Sequence, residues 1–187
     1  MRVSREQMAE NRRRILEAAG RLFREKGFEA VGVAEVMSAA GLTHGGFYGH
    51  FKSKDDLIAR TLEQALDADS GKGLGLRAFI DDYLSPRHRD DAGGGCATAA
   101  LVAESARQTP AARAAMTARL RAQIERMSGE LSGPDAAAKR EAAIGVWAAM
   151  VGAVILARAS DDPALSDEVL ERTRAWIDAG LERLQAA

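Results

Sequence analysis

Between Thr43 and Lys54 the chain sets hydroxyl, imidazole, phenol and ammonium groups at short intervals: Thr43, His44, Tyr48, His50, Lys52 and Lys54, with glycines at 45, 46 and 49 among them. The donors of Tyr48 and His50 suit phosphate oxygens. Lys52 and Lys54 flank the start of a further helix, where backbone N–H groups and the helix dipole favour anions. The chemistry on offer is recognition of a polyanion rather than bond breaking, because no nucleophile stands with a base and an orienting group. Elsewhere the reactive candidate is Cys96. A thiol at a helix N-terminus has its pKa lowered, so Cys96 is open both to sensing oxidants or electrophiles and to a passive place in a core or pocket. One cysteine closes no intrachain disulfide, and no Cys/His cluster for zinc exists. The stretch Asp69–Gly75 is Gly-rich but lacks the GxxxxGK[ST] and GxGxxG spacings and follows no strand. No metal or cofactor is expected.

The elements that must position these groups are helical. Apolar spacings of three and four recur and no window alternates as a strand does, so the expected fold is all-α with about nine helices. Ser4 and Gln7 open a helix over about 5–26, with Ile15, Leu16, Ala19, Leu22 and Phe23 on one face and Gly27 as its stop. A second helix runs from Val33 to Ala40 and ends at Gly41. A third starts at Thr43, a candidate cap, and reaches His50 despite three glycines of poor helix propensity. Two short helices around a tight Gly turn have the dimensions of a helix-turn-helix, whose second helix lies in the major groove of DNA. Residues 43–46 then sit at the N-terminus of that second helix. Ser53 with Asp56 caps the next helix, whose stripe is Leu57, Ile58, Leu62, Ala65 and Leu66.

The stretch Asp69–Gly75 marks a break. Beyond it the pattern predicts helices near 76–84, 96–108, 110–131, 135–159 and 164–185, with a loop over Ser85–Gly95. The apolar run 142–157 has sixteen residues, short of the roughly 20 that span a bilayer, and reads as a buried helix. No secretory h-region follows the N-terminal charges, and with the single cysteine this points to the cytoplasm and away from membranes. The net charge of −1 over 187 residues conceals an asymmetry: residues 1–60 carry +3 and the rest −4.

Residues 12–60 resemble the N-terminal DNA-binding domain of the TetR family of transcriptional regulators. The match is carried by Ile15, Ala18, Phe23, Gly27, Val33, Ala40, Gly41, the run Phe47–Tyr48–Gly49–His50–Phe51, Lys54 and Leu57. Two positions depart from the family pattern: Gly32 replaces the usual Ser or Thr cap, and Gly49 stands where a larger residue is common. The resemblance implies a three-helix DNA-binding domain, 1–52, and a helical body, 53–187, that binds a ligand and dimerises through its last two helices. It implies a homodimeric repressor on a palindromic double-stranded operator, released by a small effector. Thr43 and His44 would reach base edges or adjacent phosphates, Gly45 and Gly46 would admit the DNA backbone, and Tyr48 and His50 would contact phosphates. Phe47 and Phe51 read as core, and Arg12, Arg13 and Arg14 either touch DNA or form a solvated face.

In the body, the run from Gly93 to Met116 looks like a subgroup with a Gly-Cys at the start of the sixth helix. The expected pocket residues are Leu62, Leu66, Phe79, Cys96, Leu101 and Met116, with the helix that starts after Ser53 as the lever between pocket and DNA. A redox or electrophile sensor acting through Cys96 is the alternative. The expected dimer interface comprises Trp147, Met150, Val151, Val154 and Ile155 with Val169, Trp176, Ile177 and Leu181, where Ala148, Ala149, Gly152 and Ala153 permit close helix approach. An all-helical enzyme is the competing class, and a turnover assay separates it from a regulator.

Overall fold

The computed structural model describes residues 4–68 and 75–186; among them are nine α-helices, one 3-10 segment and no strand. The helices are α1 Arg5–Ala30, α2 Val33–Ala39, α3 Lys54–Ala68, α4 Leu76–Tyr83, α5 Pro86–Asp90, α6 Ala97–Ser105, α7 Pro110–Glu130, α8 Ala136–Ala159 and α9 Pro163–Ala186; the 3-10 segment is His44–Gly49. The break expected over Asp69–Gly75 lies, but for Gly75, outside the described residues. Residues 4–68 and 96–119 form one compact unit, and residues 75–95 and 120–186 a second. The first unit thus reaches past residue 52, because α3 and α6 both pack on α1.

The first unit is built around α1. Ile15, Ala19, Phe23 and Phe28 are fully buried there, with Val31, Val36, Phe47, Leu57 and Leu62 completing the core. Each such large side chain contributes about 1.5–3 kcal/mol by leaving water. Ser4 Oγ accepts from the Gln7 N–H at 3.1 Å, but the Gln7 amide bonds Asn11 instead of returning to the cap, so half of the expected capping box forms. The helical path breaks at Gly27, where φ is +81°, and one further turn carries the chain to Ala30. The glycine is needed twice. Its φ suits residues without a Cβ, and a Cβ there would lie 2.5 Å from Glu104 Oε1 of α6. Through that gap Glu104 accepts the Phe28 backbone N–H at 2.8 Å, while Phe28 packs edge-on against Phe23 at 5.3 Å.

In the second unit α8 packs along α9, and α5 rests against α8. Asp135 caps α8 by accepting from the Ala138 N–H at 2.8 Å; Asp162 caps α9 through the Ala164 N–H at 2.9 Å. The expected loop over Ser85–Gly95 holds α5, because Ser85 accepts from the His88 N–H and Pro86 supplies the fixed φ of a first helical position. Arg158 then donates to the carbonyls of His88 and Arg89 at 2.8 Å each, satisfying the end of this short helix. At 24 residues α8 is long and apolar enough to cross a bilayer, more than the sixteen-residue run indicated. Eight of its residues, including Val146, Trp147, Met150 and Val154, are nevertheless buried inside the unit, as a core helix requires.

Candidate nucleic-acid interface

The turn after α2 closes as a Schellman motif. Leu42 N–H donates to Met37 O and Gly41 N–H to Ser38 O, both at 2.9 Å, with Gly41 at φ +67°. Arg14 of α1 donates to the carbonyl of Ala40 at the end of α2, and a Cβ on Gly41 would stand 2.6 Å from that guanidinium. Arg12 does the same for the following segment: it donates to the His50 carbonyl at 2.5 Å and lies 4.3 Å over the Phe51 ring. Two arginines of one helix therefore hold the carboxyl ends of both recognition elements, where carbonyls lack partners and cations are favoured. Between them Arg13 pairs with Glu10 and Glu17 on the exposed face. The arginine run had been open between DNA contact and solvated face; two of its members are clamps. Their spacing carries no signal for this, since residues two apart in an α-helix point to nearly opposite sides, and only the fold shows what Arg12 and Arg14 reach.

Residues 44–49 wind as a 3-10 helix rather than an α-helix, a consequence of three glycines and tight bonds such as Gly46 N–H to Thr43 O at 3.0 Å. Thr43 occupies the cap position, yet its side chain makes no cap hydrogen bond. The tighter winding still sorts the side chains. Phe47 and Phe51 stack inward with centroids 5.7 Å apart, while Thr43, His44, Gly45, Gly46 and Gly49 are exposed and Tyr48 is 72% exposed. A Cβ on Gly45 or Gly49 would meet nothing within 4 Å, so internal packing demands neither glycine. They leave bare backbone on the outward face. His50 is half-buried, and burial, then the nearby Arg12 charge, holds its pKa below the usual imidazole value. At neutral pH it is an uncharged ring with one N–H to offer.

The two lysines differ from expectation. The N-terminus of α3 is occupied from within: Asp56 N–H donates to Ser53 Oγ at 3.1 Å, and the Asp56 carboxylate accepts the Lys52 N–H at 3.0 Å. An incoming phosphate would meet that carboxylate, so this end is not an open anion site. Lys54 donates to the Glu29 carbonyl at 3.3 Å, tying α3 to the end of α1, whereas Lys52 is exposed.

Of the expected pocket residues, Leu62, Cys96, Leu101 and Met116 are buried in the first unit and Phe79 in the second; the Leu66 side chain lies outside the description. Cys96 is 4% exposed, at the cap position of α6. The expected interface residues divide. Trp147, Met150, Val151, Val154, Ile177 and Leu181 are buried within the chain, Trp147 beneath Phe79 and Tyr83 of α4. Ile155 and Trp176 are exposed, Val169 half so. Leu165, on the same apolar stripe of α9, is exposed too, as are Ile144 and Leu156, which were not in the expected set; Leu156 is 62% and Trp176 60% exposed. Grooves of about 470 and 530 Å³ share Trp176 as a wall.

Comparison with known proteins adds context to this geometry. Residues 15–61 match the family described as bacterial regulatory proteins, tetR family, and residues 75–173 match the tetracyclin repressor-like C-terminal domain. The HTH-type transcriptional regulator AcrR of Shigella flexneri is 39% identical over 62 residues, 33% of this chain and 29% of that protein. The HTH-type transcriptional repressor KstR2 of Rhodococcus jostii is 38% identical over 81 residues, 40% of each chain. The chain thus spans less than half the length of these curated relatives. Among solved structures, a TetR-family regulator from Agrobacterium tumefaciens superposes with a TM-score of 0.73 at 22% identity, covering 95% of this chain and 98% of that one. The reduced form of E. coli NemR gives 0.70 at 24% identity, covering 89% and 94%. Likeness at that identity establishes the fold.

Proposed function

Since the chain belongs to the TetR family of bacterial regulatory proteins, we propose that it is a ligand-responsive transcriptional repressor that binds a palindromic operator as a homodimer. The observation that carries this is the outward face of residues 43–49. Thr43, His44 and Tyr48 project beside bare backbone at Gly45 and Gly49, on a turn held rigid by Arg12 and Arg14. Rigid presentation of a few donors at close backbone approach is what groove reading requires. In this reading Thr43 and His44 meet base edges or adjacent phosphates, Tyr48 and the neutral His50 bond phosphates, and Lys52 adds an unanchored positive charge. Lys54 acts first as a tie to α1.

One recognition segment reads only a few base pairs, so a two-fold pair must present two of them about 34–36 Å apart, one turn of DNA. The exposed Leu156 and Trp176, which line one groove between α8 and α9, support these helices as the dimer face, since large apolar side chains exposed together mark an interaction site. DNA binding is then controlled by an effector that prefers a conformation whose recognition elements miss the operator spacing. Residues 1–52 serve as the reading head and 53–187 as the sensing and dimerising body. The near-complete burial of Cys96 favours a packing role over thiol sensing.

The test is binding of the purified protein to the promoter next to its own gene. The expected result is a salt-sensitive complex with one dimer per palindrome. A protein that stays monomeric at micromolar concentration while protecting the palindrome would overturn the dimer scheme, and equal affinity for unrelated DNA would overturn specific repression.

A further inference from the structure

In the second unit three side-chain donors are buried with no acceptor among the described residues: Gln123 Nε2, Arg126 Nη2 and Trp147 Nε1. Gln123 is 7% and Trp147 5% exposed. A buried donor without a partner costs folding free energy that an apolar side chain of the same shape would not, so each one calls for a reason. These three are gathered. Gln123 and Arg126 stand three residues apart and so share a face of α7. The Arg126 guanidinium lies over the Phe79 ring, 4.4 Å from its centroid. Phe79 stacks on Trp147 at 6.4 Å with planes 23° apart, and Tyr83 meets Trp147 edge-on at 5.3 Å. Arg126 Nη1 is bonded to Glu130 at 2.9 Å, which anchors the guanidinium and leaves Nη2 unmatched.

The composition leans to donors: an amide, a guanidinium and an indole N–H beside three aromatic rings, with the Tyr83 hydroxyl, which can donate or accept, next to Trp147. Ring faces accept hydrogen bonds only weakly and do not balance an amide, a guanidinium and an indole. We propose that this cluster is the recognition site of the effector, and that the effector is a flat aromatic molecule carrying acceptor oxygens, as carboxylate or carbonyl, and no ammonium group. The rings supply the apolar wall, the three donors fix the oxygens, and the Arg126 charge repels a cation. Gln123 and Trp147 are sealed off, whereas the Arg126 side chain is 24% exposed, so the ligand enters past Arg126. The inference rests on the ligand-responsive reading above.

The test uses the full-length protein and four probes of one shape: 1-naphthoate, 1-acetonaphthone, naphthalene and 1-naphthylmethylamine, titrated by calorimetry into wild type, Gln123→Leu and Arg126→Met. The two oxygen-bearing probes are expected to bind at least tenfold tighter than the other two, and each substitution to erase that preference about tenfold. Without ligand, Gln123→Leu should unfold at the same temperature as wild type or higher, since it removes an unmatched donor. Naphthalene or the amine binding as tightly as the oxygenated probes would overturn the proposal. So would a preference that survives both substitutions, or a fall of several degrees in the unfolding midpoint of ligand-free Gln123→Leu, which would make the amide a structural partner; that variant decides should Arg126→Met fold poorly. Operator release in the same samples separates the two readings. Binding here that leaves operator DNA bound refutes ligand-controlled repression and upholds the site, whereas a compound that releases DNA equally from wild type and both variants refutes the site alone.

Discussion

Gly45 and Gly49 cost the 3-10 segment stability and gain it no packing, since a Cβ at either would meet open space. Gly45→Ala and Gly49→Ala should therefore stabilise the protein by roughly 0.5 kcal/mol each, from reduced unfolded-state freedom, while weakening operator binding at least tenfold by holding the DNA away. Thermal unfolding and fluorescence anisotropy on one preparation check both; a loss of stability would mean that the glycines serve the fold. Gly41→Ala is the counterpart, with φ +67° and Arg14 2.6 Å from the new methyl. There we expect a destabilisation of about 2 kcal/mol or more, visible as a lower midpoint in denaturant. Tyr48→Phe removes an exposed hydroxyl and should reduce affinity about tenfold on every DNA sequence without altering stability, whereas His44→Ala should change which operator bases matter. Identical effects of the two would refute the split between phosphate and base contacts. At this scale the DNA-facing positions were legible because local spacing alone turns Phe47 and Phe51 inward and Tyr48 outward. Arg12, Arg14 and Glu104 were not, because each acts on a carbonyl or N–H distant in the chain.

Among the elements, the joint between α6 and α1 is carried by Glu104 on the Phe28 N–H. Glu104→Gln keeps an acceptor and should be nearly silent; Glu104→Ala leaves a backbone donor unmatched and should cost about 1–2 kcal/mol. Equal effects of the two in denaturant melts would show that the charge, not the hydrogen bond, matters. α5 carries a pH dependence. Burial of His88 outweighs the bond to the Tyr83 carbonyl and lowers its pKa, as burial and Arg12 lower that of His50. Both groups bind protons more readily unfolded than folded. Their contribution is present above the unfolded value near 6.5 and is lost as pH falls through the lower folded values. The unfolding midpoint should thus drop between pH 7 and pH 5, and less steeply in His88→Gln; an unchanged slope would acquit His88. Most helix limits were readable from start and stop signals such as Ser4, Gly41 and Ser53. The 3-10 winding and α5 were not: residues 43–50 read as an ordinary helix and 85–95 as a loop, because the contacts that hold them, here from Arg12 and Arg158, are tertiary.

For the whole molecule, an apolar stripe tells that a helix is covered but not by what. α8 and α9 are apolar on more than one side, so the residues assigned to a partner, Trp147, Met150, Val154, Ile177 and Leu181, fill the unit's own interior, and the outward set is led by Leu156 and Trp176. Leu156→Glu with Trp176→Glu should yield a folded monomer by sedimentation, with operator affinity lowered a hundredfold or more because one head then binds alone. Retention of the dimer would move the interface elsewhere. The discontinuity of the first unit has a further consequence, for the order of events at the ribosome. Residues 4–68 emerge first, yet the partners they require, α6 and the opening turns of α7, lie at 96–119. At about 5–20 residues per second, the nascent reading head waits several seconds with the face of α1 around Phe28 uncovered, and holdase chaperones have their substrate in that interval.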